Sequence, residues 1–207
     1  SFDNQNSTKA KSNYIKKAVK IISNSNKTVI IAGGGIKYTS RYKNVVKLAE
    51  LLNVPIVTAA GHGDAIPFNH KLNAGQMGPR GNPVASKLVK EASVIIALGT
   101  RLGFNSTFYS YENINKRAKI IQVELEKRMI GRYFPVAVGI YGDAATIADQ
   151  IYKEIKKQNI TLGVKIWTNK YLNERKKFLL DRNKLKQKNF PIQPKGLFKQ
   201  LRKALPK

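Results

Sequence analysis

The chain contains no cysteine, which excludes disulfides, thiolate metal sites and a cysteine nucleophile. Histidine is nearly absent. His62 and His70 are the two present, eight apart across Pro67, a spacing that makes no helical metal pair. Acids are scarce, 12 against 38 Lys and Arg, for a formal net charge of +26. Asp64 and Asp143 form no catalytic dyad that the sequence can support, and no metal site is expected. No apolar run reaches membrane-spanning length, and the first residues lack the pattern of a signal peptide. The expectation is a cytoplasmic protein with no membrane partner.

What is present supports a packed domain. Hydrophobic residues make up 42% of 207 residues, enough for one sizeable core with appendages. The positive charge is carried mostly by lysines spread along the sequence, as in KKAVK at 16–20 and KEIKK at 153–157. They alternate with apolar positions and form no compact patch in the sequence, so the charge reads as solvated helix faces and no specific nucleic-acid partner is expected.

Short apolar runs alternate with helical patterns from residue 28 to 157. Thr28–Ala32, Pro55–Thr58, Val94–Leu98, Lys119–Val123 and Ala137–Tyr141 read as strands. The apolar, β-branched ones suit burial on both faces. Helical periodicity covers Tyr14–Ile22, Arg41–Leu52, Pro83–Glu91 and a helix through Ile155, with Asp143 as its N-cap. This alternation predicts a doubly wound parallel sheet.

In such a sheet, ligands bind beyond the carboxyl ends of the strands, so those ends supply the candidate site. Gly33-Gly34-Gly35 follows the first strand. It is not the dinucleotide fingerprint, since Tyr38 stands where a third glycine is needed. It serves either a nucleotide crossing the strand end or a tight turn. Arg101 follows the Val94–Leu98 strand and offers a forked donor for an anion. Glu124 ends the next strand, where an acid can accept from ribose hydroxyls. His62 follows the second strand, as a turn residue or as a catalytic residue facing an anionic substrate.

The ordered set AGGG (32–35), PIV (55–57), MGPRGNPVA (77–85), ASVIIALGTRLG (92–103), AKIIQVELEKRMIG (118–131) and VGIYGDA (138–144) resembles the central domain of thiamine-diphosphate-dependent enzymes, the group of acetolactate synthase and pyruvate oxidase. The resemblance implies a Rossmann-like α/β fold, with a doubly wound parallel sheet of about five or six strands and a C-terminal helical linker. HGDAIPFNH at 62–70 and the ALGTRLG strand end resemble the sulfoacetaldehyde acetyltransferase branch. That branch implies conversion of sulfoacetaldehyde and phosphate to acetyl phosphate and sulfite. The runner-up is acetolactate synthase.

The same resemblance implies thiamine diphosphate and Mg2+, bound by flanking domains, and a homodimer or homotetramer. Gly78, Arg80 and Gly81 align with a loop that lies along FAD in acetolactate synthases, and Arg101 aligns with an arginine beside it. The second basic residue of that pattern is missing from Leu102-Gly103-Phe104-Asn105. A flavin is therefore doubtful, and an empty crevice or a non-redox nucleotide is expected. The expected organisation is a linker at 1–13, the central domain at 14–158, a helical segment and linker at 159–194, and at 195–207 the start of a truncated diphosphate-binding domain. Trp167, Tyr171 and Phe178 share a helical face that suggests a missing partner. The rival readings are a stand-alone nucleotide-binding module and a basic nucleic-acid-binding protein.

Overall fold

In the computed structural model, the described residues are 9–38, 41–184 and 194–205. They divide into two units, Ser1–Arg175 and Lys176–Lys207. The first holds a six-stranded, all-parallel sheet: β1 (Thr28–Ala32), β2 (Ile56–Thr58), β3 (Asn73–Gln76), β4 (Val94–Leu98), β5 (Lys119–Glu124) and β6 (Val138–Tyr141), in the order β3-β2-β1-β4-β5-β6. β1 and β4 lie at the centre, and all five residues of each are buried. That is why their sequences, Thr28 apart, are apolar throughout rather than alternating.

Successive strand residues point to opposite faces, which sorts the core into two layers. Ile30, Ala32, Ile56, Ile96, Leu98 and Ile121 share one cluster with α1 (Ser12–Ser23), α3 (Tyr42–Leu52) and α6 (Ala144–Lys157). Within that layer α6 packs against both α1 and α3. The intervening residues Val29, Ile31, Ile95 and Ala97 are equally buried but lie outside that cluster. α4 (Pro83–Glu91) packs beside β3 and starts with Asn82 accepting from the Val84 N–H at 2.8 Å. α6 starts as the sequence predicts: Asp143 accepts from the Thr146 N–H at 2.7 Å and pairs with Arg41 at 2.8 Å.

The structure corrects the sequence reading in several places. Asn73–Gln76, within what reads as a loop, is the edge strand β3, held by a parallel ladder to β2 whose register shifts between Ile56 and Val57. Two four-residue helices, α2 (Gly34–Lys37) and α5 (Phe104–Thr107), were not anticipated. α7 (Lys165–Lys184) begins with Trp167 and Tyr171 already covered, at 8% and 0% exposure. Their partner is the chain itself. Lys87–Glu174 and Lys170–Glu91 ion pairs at 3.4 and 3.6 Å tie α7 to α4, and Thr168 Oγ1 donates to the Asn53 carbonyl at 2.8 Å.

The unit Lys176–Lys207 contains the last turns of α7 and α8 (Pro194–Ala204). Phe178 belongs to it, with the Arg182 guanidinium 5.6 Å from its ring centre. Most of the expected N-terminal linker (1–8) and the Pro191-Ile192-Gln193 part of the second linker lie outside the described residues.

Candidate functional site

The strand order reverses direction between β1 and β4, and a crevice opens there at the carboxyl ends of a doubly wound sheet. It is a cleft of about 520 Å³ whose lining includes Gly34, Gly35, His62, Arg101 and Glu124. Five of the nine sequence-derived site residues are thus brought together from the ends of four strands. Gly33 lies just behind it and donates to the Leu98 carbonyl at 3.0 Å.

The floor is made by two strand ends pressed together. Gly35 N–H donates to the Gly99 carbonyl at 3.0 Å, and Gly99 N–H to that of Val123 at 2.9 Å. A Cβ on Gly99 would stand 2.6 Å from Gly35 Cα, and one on Gly33 would stand 2.3 Å from the Gly99 carbonyl oxygen. Glycine is required there by backbone packing, before any ligand is considered.

His62 stands on the loop after β2. A Cβ on Gly34 would meet its Cε1 at 2.9 Å, and Tyr38 meets the ring edge-on at 6.3 Å. Its Nδ1 is buried with no hydrogen-bond partner among the described residues. Lys37 and Asp64 pair at 3.0 Å between α2 and the same loop.

Arg101 is an exposed side chain paired with Glu126 at 3.2 Å, and Glu126 also takes Arg128. Glu124 is half-buried. Burial raises its carboxyl above the ordinary value, against the lowering effects of the Leu125 N–H and the nearby Arg101 charge. Buried Gln122 holds this end of the sheet in register. It donates to the carbonyls of Thr100 and Met129 at 3.2 and 3.3 Å and accepts from the Gly131 N–H at 2.8 Å.

The sequence did not single out the aromatic wall. Phe104 and Tyr109 line the cleft. Tyr109 stacks on Tyr133 at 4.3 Å, and Phe104 meets Phe108 edge-on at 4.9 Å. They come from α5 and the turn after it, which carry no periodic signal. Asn105 also lines the cleft, at the place where the resemblance leads one to look for a second basic residue.

Gly78, Arg80 and Gly81 do not line it. Gly78, at a φ of +95°, backs onto the Asn105 carbonyl, and Gly81 is closed in by the Gln76 carbonyl. Arg80 is exposed. The cleft combines a glycine floor, one guanidinium, one protonatable acid and flat aromatic faces. Such groups can contact phosphate oxygens, ribose hydroxyls and flat rings. Among the described residues, no three His, Cys, Asp or Glu come together as metal ligands, and no helix is long and apolar enough to cross a membrane.

Residues 15–151 match the family model described as thiamine pyrophosphate enzyme, central domain. Among curated proteins, the chain is 38% identical over 143 residues to a sulfoacetaldehyde acetyltransferase of Roseovarius nubinhibens, covering 68% of this chain and 24% of the relative. It is 30% identical over 209 residues to the sulfoacetaldehyde acetyltransferase of Castellaniella defragrans, covering 91% and 35%. A probable acetolactate synthase large subunit of Methanococcus aeolicus is 30% identical over 195 residues, covering 90% and 32%. The chain thus spans about a quarter to a third of the length of these relatives.

Proposed function

We propose, since the chain belongs to the thiamine pyrophosphate enzymes and is their central domain, that the whole enzyme converts sulfoacetaldehyde and phosphate to acetyl phosphate and sulfite. The observation that carries this reading is the recurrence of sulfoacetaldehyde acetyltransferases among relatives at 30–38% identity.

Membership of the family implies thiamine diphosphate, which supplies carbanion chemistry when bound. The described residues bring together no metal-ligand cluster for a Mg2+ ion to hold its diphosphate. In this reading that site falls to flanking domains. The work of this domain is architectural. Its sheet fixes the cleft, Gln122 braces the cleft's rim, and the carboxyl ends of its strands present one wall to the rest of a homodimeric or homotetrameric enzyme in the cytoplasm.

The cleft fits FAD poorly. A flavin dinucleotide carries two phosphates, whereas the lining offers one guanidinium, already paired with Glu126, beside an acid. The residues suit a non-redox nucleotide better, with Arg101 toward phosphate and Glu124 toward ribose hydroxyls, while His62 packs the wall between Tyr38 and Gly34. A second reading, acetolactate synthase with FAD in this cleft, is favoured by the acetolactate synthase relative that matches 90% of the chain.

One preparation separates the two. The full-length enzyme is purified with thiamine diphosphate and Mg2+, assayed for acetyl phosphate and sulfite from sulfoacetaldehyde plus phosphate, and scanned for visible absorption. Both products without a flavin band are expected. Acetolactate from pyruvate, with a flavin band and no sulfite, would replace this reading with the second.

A further inference from the structure

The lysines that look scattered along the sequence are gathered by the fold. α1, α6 and α3 lie side by side in one layer, each burying its apolar stripe and turning its lysines outward. Lys16, Lys17 and Lys20 are exposed on α1, and Lys43 and Lys47 on α3. Lys156 and Lys157 are exposed at the end of α6.

None of these seven makes an ion pair among the described residues. The acids of the layer engage other groups than these seven: Asp149 pairs with Lys153 of its own helix at 2.7 Å, Glu50 with Lys71 at 3.1 Å, and Glu154 accepts from Gln158 at 2.7 Å. The contrast is with α4 and α7, which spend lysines on each other's glutamates.

We infer that the outer face of α1, α6 and α3 is a docking surface for the phosphate backbone of double-stranded nucleic acid, without sequence preference. The dimensions agree. Helices of 12, 14 and 11 residues are about 16–21 Å long, and three at spacings of about 8–10 Å make a plate about 20 Å across. A duplex carries a charge every 1.7 Å or so along its axis, or about 12 over that length, and half of them face the plate. The chemistry of the side chains sets the specificity. Lysine is a point charge suited to phosphate, and the face lacks an array of the Arg, Asn and Gln forks that read base edges. Among large apolar side chains, only Tyr14 and Leu51 are exposed on these three helices, so it has no wedge for a bilayer.

The test titrates the full-length enzyme that contains this chain with a fluorescent 20-base-pair DNA duplex of arbitrary sequence across a series of NaCl concentrations. A face variant carries Lys16→Gln, Lys20→Gln, Lys47→Gln and Lys156→Gln. A control variant removes the same charge elsewhere, through Lys116→Gln, Arg117→Gln, Lys119→Gln and Lys165→Gln, all exposed positions. Far-ultraviolet circular dichroism checks that both are folded. In the face variant, the slope of log affinity against log salt should fall by about 3–4, with affinity at least about tenfold weaker; the control should change the slope by less than about 1. Equal losses in the two variants would overturn the proposal, leaving net charge alone as the cause. It is equally overturned if the duplex fails to bind at low salt, or if phosphatidylserine vesicles bind the same face more tightly than the duplex.

Discussion

Gly99 is held at a φ of +60° with its α-carbon against that of Gly35, so two requirements coincide on one residue. A side chain there is strained by the backbone and blocked by the neighbouring strand end. Gly99→Ala should cost about 1–3 kcal/mol, read as a lower urea midpoint with an unchanged slope; no change would show that the two turns part easily. The sequence displays the glycine run at 33–35 and the lone Gly99, but contact between residues 35 and 99 is a property of the β1–β4 pairing that no local pattern carries. Glu124 is the complementary case, a polar residue whose place at a strand end is legible and whose environment is not. Burial raises its folded pKa above the unfolded value. The folded state therefore holds more protons in the window between the two values, and stability falls as pH rises through it. Above the folded pKa the whole penalty is present. Glu124→Gln should raise the urea midpoint at pH 7 and leave it unchanged below about pH 4. A less stable variant at pH 7 would mean that the carboxylate's bond from the Leu125 N–H outweighs its burial.

Elements were legible where their signal is local. The β1 and β4 runs are apolar because both faces are covered, and Asp143 caps α6 through a bond three residues away. Asp143→Ala removes that acceptor and leaves Arg41 without its partner; a loss of about 1–2 kcal/mol in urea unfolding is expected, and a smaller loss would mean that Thr146 or water takes over the cap. β3 was illegible because Asn-Ala-Gly-Gln has neither β-branched residues nor alternation; it is a strand only because β2 offers it an open ladder. The aromatic wall of the cleft was missed for a similar reason: a four-residue helix has no periodicity to detect. α7 shows the opposite error. Its aromatic spacing is legible, but the sequence cannot say that α4 is close enough to cover Tyr171, which sits at 0% exposure with Trp167 edge-on at 5.4 Å. Truncating a buried aromatic costs about 3–5 kcal/mol, so Tyr171→Ala should loosen the start of α7. Trp167 is the single tryptophan of the chain, and its emission should shift to the red before global unfolding. An unshifted spectrum would show that α7 is held by the Lys87–Glu174 and Lys170–Glu91 pairs instead.

At the scale of the molecule the governing quantity is charge. With 38 cationic side chains against 12 anionic ones, ion pairing is limited by the supply of acids, and most cationic side chains have no acid to pair with. Added salt acts on both populations. It weakens exposed pairs such as Lys37–Asp64 and Lys153–Asp149, which solvent already screens. It also screens the repulsion of the whole surplus, which destabilises the compact state because charges sit closer together in it than in the unfolded chain. The surplus is the larger population, so repulsion should win. Raising NaCl from about 20 to about 200 mM brings the screening length below the spacing of neighbouring helices and should stabilise the chain by about 1 kcal/mol, or about 2–4 °C in Tm for a chain of this size. The docking surface sharpens the expectation. If much of the repulsion sits on α1, α6 and α3, the variant lacking four of their lysines should begin with a higher Tm at low salt and gain less from added salt than the equally neutralised control. A Tm that falls with salt in the unaltered chain would show instead that its few ion pairs outweigh its excess charge.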